Sequence, residues 1–201
     1  MAESPNFQTE MRRLLRDRML DAARDVVCAE GWGAVNMSRV AKTVGISRPV
    51  LYKEIGTKQD LADALIARET DEFLTGIATT LVDYPDDPAG GMTAAAEYAL
   101  RTGADNPLLK AVLSGRNESD TTLLPALISD PDPILGRAVR ALTAVAREQY
   151  RLPGLDDDEL TSTIEILVRL ALSHLFQPTG SIERAVTQIG SVLRSLLEDA
   201  V

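Results

Sequence analysis

Apolar positions along the chain recur at spacings of three and four, and no stretch shows the alternating Val/Ile/Thr/Tyr pattern of strands, so the sequence predicts an all-α protein. A first helix is expected over 9–30, with Leu15, Met19, Ala22, Ala23, Val26 and Val27 on one face and Gly31 and Gly33 stopping it. Two short helices are expected over 38–44 and 48–55, separated by Gly45-Ile46-Ser47. Asn36 or Met37 marks the entry to the first, and Ser47 suits the N-cap of the second. Thr57-Lys58-Gln59-Asp60 has the form of a capping box and opens a longer helix over 58–82.

Tyr84-Pro85-Asp86-Asp87-Pro88 and Gly90-Gly91 read as a break, after which helices are expected over 92–102, 107–114, 121–128 and 133–150. Asp156, Asp157, Asp158 and Glu159 read as a helix start, where the dipole favours negative charge; they lack the Gly and distal Glu of a calcium loop. The penultimate helix places Leu160, Ile164, Leu167, Val168, Ala171, Leu172 and Leu175 on one face, widened by Ile166 and Leu170. The last helix repeats this with Ile182, Ala185, Val186, Ile189, Leu193, Leu196 and Leu197. A helix apolar on more than one side must bury against two layers, of which one can be its own domain and the other a second subunit. A two-fold dimer is therefore expected through a four-helix bundle, with Leu160, Ile164, Leu167, Leu172, His174, Leu175, Ile182, Val186, Ile189, Leu193 and Leu197 at the interface. His174 fits either a structural or interface role or a ligand contact.

The net charge of -9 speaks against a nucleic-acid partner until it is divided by position. Residues 1–60 hold ten Lys or Arg against eight Asp or Glu, whereas the remainder holds eleven against 22. A mildly basic head on an acidic body is compatible with DNA binding at the head, because phosphate attraction is screened within about 8 Å at physiological salt. The lone cysteine, Cys28, and lone histidine, His174, exclude an intramolecular disulfide and leave too few ligands for a structural zinc site. No run approaches the roughly 18 apolar residues of a membrane span, and residues 1–10 are polar, so a cytoplasmic protein without membrane contact is expected.

The chemistry concentrates in residues 31–61. Val40, Ala41 and Val44 with Ile46, Leu51 and Ile55 suit the contact between two crossed helices, and Gly45 can take the left-handed backbone of the turn between them. The second helix then presents groups able to meet bases and phosphates. With Gly, an aromatic, Val-Ala, Gly-Ile-Ser, Leu-Tyr, Lys and Leu at matching spacings, the stretch from about Leu20 to Leu65 resembles the DNA-binding segment of the tetracycline-repressor (TetR) family. The resemblance implies a three-helix helix-turn-helix domain over 1–57 and a helical bundle for ligand binding and dimerisation over 58–201. It implies base reading by Arg48 and Pro49 and phosphate contacts by Tyr52 and Lys58, within a DNA-contacting set of Asn36, Met37, Ser47, Arg48, Pro49, Val50, Tyr52, Lys53 and Lys58. Glu54 stands where the family usually has His, and Ile55 where it usually has Phe. Either Glu54 pairs with a local cation or the protein docks at another angle. Arg12, Arg13, Arg16 and Arg18 form a basic run read as a solvated helix face or as a minor-groove or phosphate contact.

The resemblance further implies double-stranded operator DNA and a small-molecule effector as partners, with release of DNA when the effector binds. Phe73, Met92, Tyr98, Leu109, Leu113, Leu127 and Ile164 read mostly as core, with some of them able to line an effector pocket among the middle helices, and the candidate polar anchors there are Arg101, Arg116, Asn117, Glu165 and Arg169. No catalytic residue, cofactor or metal is expected: one His, one Cys, no Gly-x-Ser-x-Gly and no phosphate loop assemble no reaction. A helical adaptor that binds only protein is the alternative; it accounts for the C-terminal helices but not for the spacing from Arg48 to Lys58.

Overall fold

The computed structural model describes residues 7–106, 108 and 135–197. Among them are eight α-helices and no strand: α1 Phe7–Glu30, α2 Met37–Val44, α3 Arg48–Glu54, α4 Lys58–Val82, α5 Pro88–Asp105, α6 Arg137–Gln149, α7 Asp157–Phe176 and α8 Ile182–Leu197, with a 3-10 turn at Trp32–Ala34. They form two compact units, whose described residues are 7–69 with 108, and 70–106 with 135–197. The expected helices over 107–114 and 121–128 lie outside the described residues, Leu108 apart. No helix among the described residues is long and apolar enough to cross a membrane.

In the first unit the apolar face of α1 supplies Met19, Ala22, Ala23, Val26 and Val27, which bury against Trp32, Val35, Val40, Ala41, Leu51, Leu61 and Leu65. Local chemistry sets the joints. Asn36 caps α2 by accepting the Arg39 N–H at 2.8 Å. Gly45, at φ 81°, closes α2 in the left-handed region, where an L side chain would be strained. Asp60 accepts the Thr57 N–H at 2.7 Å while its own N–H reaches the Thr57 hydroxyl at 3.2 Å, the reciprocal box that opens α4. Those bonds to Thr57, backbone first, hold the Asp60 carboxyl below its usual pKa.

In the second unit α8 lies along α5, α7 packs on α5, α6 and α8, and α6 is tied to α4 at both ends. Arg137 pairs with Asp71, and the Tyr150 hydroxyl donates to the Leu81 carbonyl at 3.1 Å. Burial pushes the Tyr150 phenol up to about 12, so it remains a donor. The helix expected at 92 begins instead at Pro88. Asp87 caps it by accepting the Gly90 N–H at 2.8 Å, and Pro88 sits where a helix needs no N–H. The Gly90-Gly91 pair thus lies inside α5. A Cβ on Gly91 would strike the Tyr150 hydroxyl, so close packing is what the glycine permits there. Asp156 caps α7, accepting the N–H groups of Asp158 and Glu159 at 2.9 Å each, and Glu159 reaches back to the Asp156 N–H.

Candidate nucleic-acid interface

Helix α3 buries Leu51 against the first-unit core and, with Ile55 following, leaves its opposite side outward. That side carries Arg48, Pro49, Val50, Tyr52 and Lys53, all exposed, with Val50 at 38% and Tyr52 at 45%. Ser47 occupies the N-cap, but its hydroxyl makes no capping bond and is free for another partner. Lys42, Arg48 and Lys53 are exposed and carry no ion pair among the described residues. Other cations of this unit are neutralised, among them Arg39 on α2 by Glu30, Arg24 by Glu69 at 2.7 Å, and Arg68 by Asp21 at 2.8 Å, while Arg18 on α1 is exposed with no ion pair among the described residues. Positive charge therefore stays uncompensated around α2 and α3, where a phosphate backbone can use it.

Three expected contacts take different places. Met37 is 6% exposed and packs under α2, so its side chain belongs to the core and not to a DNA surface. Lys58 lies with its ammonium 5.0 Å from the centroid of the Trp32 ring and donates to the Trp32 carbonyl at 3.3 Å. It joins the start of α4 to the 3-10 turn, and to reach a phosphate it must leave that seat. Asn36 is exposed, but its side-chain oxygen is occupied by the α2 cap. Glu54 has local cationic partners: its carboxylate lies 3.8 Å from Arg12 Nε, and Arg16 donates to its carbonyl at 3.4 Å.

The dimer and effector candidates also divide. Leu160, Ile164, Leu167, Ile189, Leu193 and Leu197 are at most 7% exposed within one subunit, so they form its own core and cannot also face a partner. Leu172, His174, Leu175, Ile182 and Val186 are half-buried. The apolar side chains left outward are Ile166, Val192 and Leu196 at 37–40%, with Leu170 half-buried one turn from Ile166. Two-sided helices give no sequence mark for the inward side, and the longer aliphatic stripe proved to be that side. Of the effector candidates, Met92 and Ile164 are core, while Phe73 and Tyr98 are half-buried with rings 6.4 Å apart. Arg101 is exposed and pairs with Glu97 and Glu183, and Arg169 pairs with Glu165, so these polar groups are held at the surface. Leu109, Leu113, Arg116, Asn117 and Leu127 lie outside the described residues. A shallow cleft at the turn from α7 to α8 is lined by Leu100, Ser181, Arg184 and Gln188 together with His174, the one of them for which a ligand contact was an alternative.

One polar group was missed. Thr143, 6% exposed on α6, has a buried hydroxyl with no hydrogen-bond partner among the described residues. Thr75, Thr79, Thr80, Thr93, Thr161 and Thr187 each donate to the carbonyl four residues back, and Thr143 does not. Its sequence signal is slight: a Thr in place of an aliphatic residue on the inner face of α6.

A tight helix-turn-helix whose reading helix carries basic groups without an ion pair among the described residues, joined to a separate helical unit, defines a DNA-binding regulator. Residues 19–65 match the bacterial regulatory proteins of the tetR family, and residues 87–195 match the bacterial tetracyclin repressor C-terminal domain. The chain belongs to the TetR family of transcriptional regulators, a class that performs no enzymatic chemistry. It is 31% identical over 171 residues to the HTH-type transcriptional regulator AlkX of Mycobacterium tuberculosis, covering 83% of this chain and 77% of that one. The crystal structure of the TetR family repressor AlkX from Dietzia sp. strain DQ12-45-1b, implicated in biodegradation of n-alkanes, superposes with a TM-score of 0.74 at 23% identity, over 92% of this chain and 96% of that one. The R. erythropolis transcriptional repressor QsdR shares the fold at a TM-score of 0.63 and 15% identity, over 94% of this chain and 97% of that one.

Proposed function

We propose that the chain is a homodimeric repressor that holds a palindromic operator through α3 and releases it when a small, mostly apolar effector binds the second unit. In this reading residues 1–57 are the DNA-binding head and residues 58–201 the ligand-binding and dimerisation body. The exposed face Arg48-Pro49-Val50-Tyr52-Lys53, without an ion pair among the described residues, is the observation that carries it. It also weighs against a protein-only adaptor, which has no use for that face. The likeness to the AlkX repressor, implicated in biodegradation of n-alkanes, favours repression and an effector related to n-alkanes. Helix α4 begins in the first unit and continues into the second, so a tilt of α4 on effector binding changes the spacing of two heads that must meet half-sites roughly 34–36 Å apart.

The test is a mobility shift with the DNA upstream of the protein's own gene, followed by titration with alkanes and their alcohol and acid derivatives. The expected result is a specific shift reversed by one of these classes. Effector affinity measured with and without operator must then differ by the same factor as operator affinity with and without effector, because coupling is reciprocal. Equal effector affinities in the two cases would remove the switch.

Thr143 gives the apolar body its polar reference point. An unpartnered buried hydroxyl costs about 1–3 kcal/mol, and an effector oxygen bonded there recovers part of that. Thr143→Val is expected to raise the stability of the effector-free protein by about 1 kcal/mol and to weaken effector binding about fivefold to tenfold. Thermal unfolding and calorimetry read the two effects. A destabilised Thr143→Val protein would show that the hydroxyl is satisfied in solution.

A further inference from the structure

Helix α1 extends beyond the first-unit core by about three turns, and that extension is anchored where α3 ends. Arg16 donates to the carbonyl of Glu54, the last residue of α3, at 3.4 Å, which places a cation at the negative end of that helix. Arg12, one turn earlier, meets the Glu54 carboxylate at 3.8 Å. The two sides differ: the Glu54 side chain is 21% exposed and held in place, whereas Arg12 is 67% exposed and can swing away. The carboxylate belongs to the residue that directly follows Lys53 on the reading helix.

We propose that Glu54 is an internal competitor for the DNA backbone: it occupies Arg12 in the place of a phosphate and holds down affinity for DNA of every sequence. The inference rests on the reading of α3 as the DNA-contacting helix. Its physical basis is exchange. A free Arg12 beside the duplex would neutralise one phosphate and release its counterions, whereas Arg12 paired to Glu54 gains little from DNA, because each phosphate contact must first break an ion pair. Glu54 thereby favours discrimination, since contacts of Arg48 with base edges remain while the sequence-blind attraction is reduced. Arg13 takes no part, being paired with Glu10 and Asp17 on its own helix.

The experiment measures binding of operator and of random duplex DNA across a salt series for the wild type, Glu54→Gln, Arg12→Ala and the double variant. Glu54→Gln removes the charge but keeps the shape and leaves Arg16 its backbone acceptor. Expected are about three- to tenfold tighter binding of both DNAs by Glu54→Gln and a log–log salt slope steeper by about 0.9, the value for one added phosphate contact. In the Arg12→Ala background the steeper slope should vanish. A thermal melt separates a structural staple, which would lower the melting temperature without tightening binding. Unchanged affinity and slope in Glu54→Gln, or a steeper slope that survives Arg12→Ala, would overturn the proposal. A wild type that shifts neither DNA would overturn the DNA-binding reading itself, and this inference with it.

Discussion

A Val192→Glu, Leu196→Glu double variant is expected to sediment as a folded monomer and to lose at least about a hundredfold in operator affinity. Both side chains sit one turn apart on α8, 38% and 37% exposed, and α8 packs on α7, which leaves Ile166 outward at 40%. Exposed aliphatic groups on adjacent helices suit a four-helix contact with a second copy, and two glutamates per subunit set four carboxylates into that contact without partners. The subunit's own core is untouched. The affinity loss follows from linkage: two tethered heads convert the second half-site into an intramolecular event, worth about 10²- to 10⁴-fold. Leu193→Glu is the contrasting control. Leu193 is 1% exposed and faces the second-unit core, so a carboxylate there should unfold that unit and not merely dissociate the dimer. Sedimentation with circular dichroism distinguishes the outcomes. A double variant that remains dimeric would place the interface elsewhere.

The parts of the molecule legible in the sequence are those governed by neighbours a few residues apart. Gly45 announced the turn because only a residue without Cβ takes φ 81° freely, and Thr57 with Asp60 announced the start of α4 because both halves of the box lie within one turn. The inward stripe of α1 was nearly as plain: of its six expected positions Met19, Ala22, Ala23, Val26 and Val27 are buried, while Leu15 is half-buried and Leu20 is buried in addition. Long-range partners left no such trace. Glu54 looked like a liability beside DNA until Arg12, 42 positions earlier, was found beside it, and Lys58 looked like a phosphate ligand until Trp32 was found beneath it. Gly90-Gly91 misled for a related reason: a glycine pair that marks a break in isolation is a packing device once Tyr150 arrives from α6. On α7 the pattern showed that both sides are apolar but held no information about which one meets α5 and α6.

Arg48→Ala is expected to broaden the bound consensus at one position of each half-site and to cost about 1–3 kcal/mol per half-site, whereas Lys53→Ala should weaken binding to every sequence alike. The distinction comes from the shape of the two cations. Arg48 is the first residue of α3, exposed and free of any ion pair among the described residues, so its planar fork is available to bond guanine O6 and N7 together. Pro49 and Val50 beside it present apolar surface suited to a thymine methyl, and neither offers a donor that could replace the guanidinium. Lys53 carries a point charge that any phosphate satisfies. Its loss should reduce the salt slope by about 0.9 and leave the consensus intact. Arg48→Lys sharpens the test, because it preserves charge while removing the bidentate geometry: the salt slope should hold and the base preference should fall. Selection from a random duplex pool with each variant reads these effects directly. An Arg48→Ala protein that selects the wild-type consensus would show that Arg48 grips backbone, and base reading would then pass to Pro49, Val50 and the Ser47 hydroxyl.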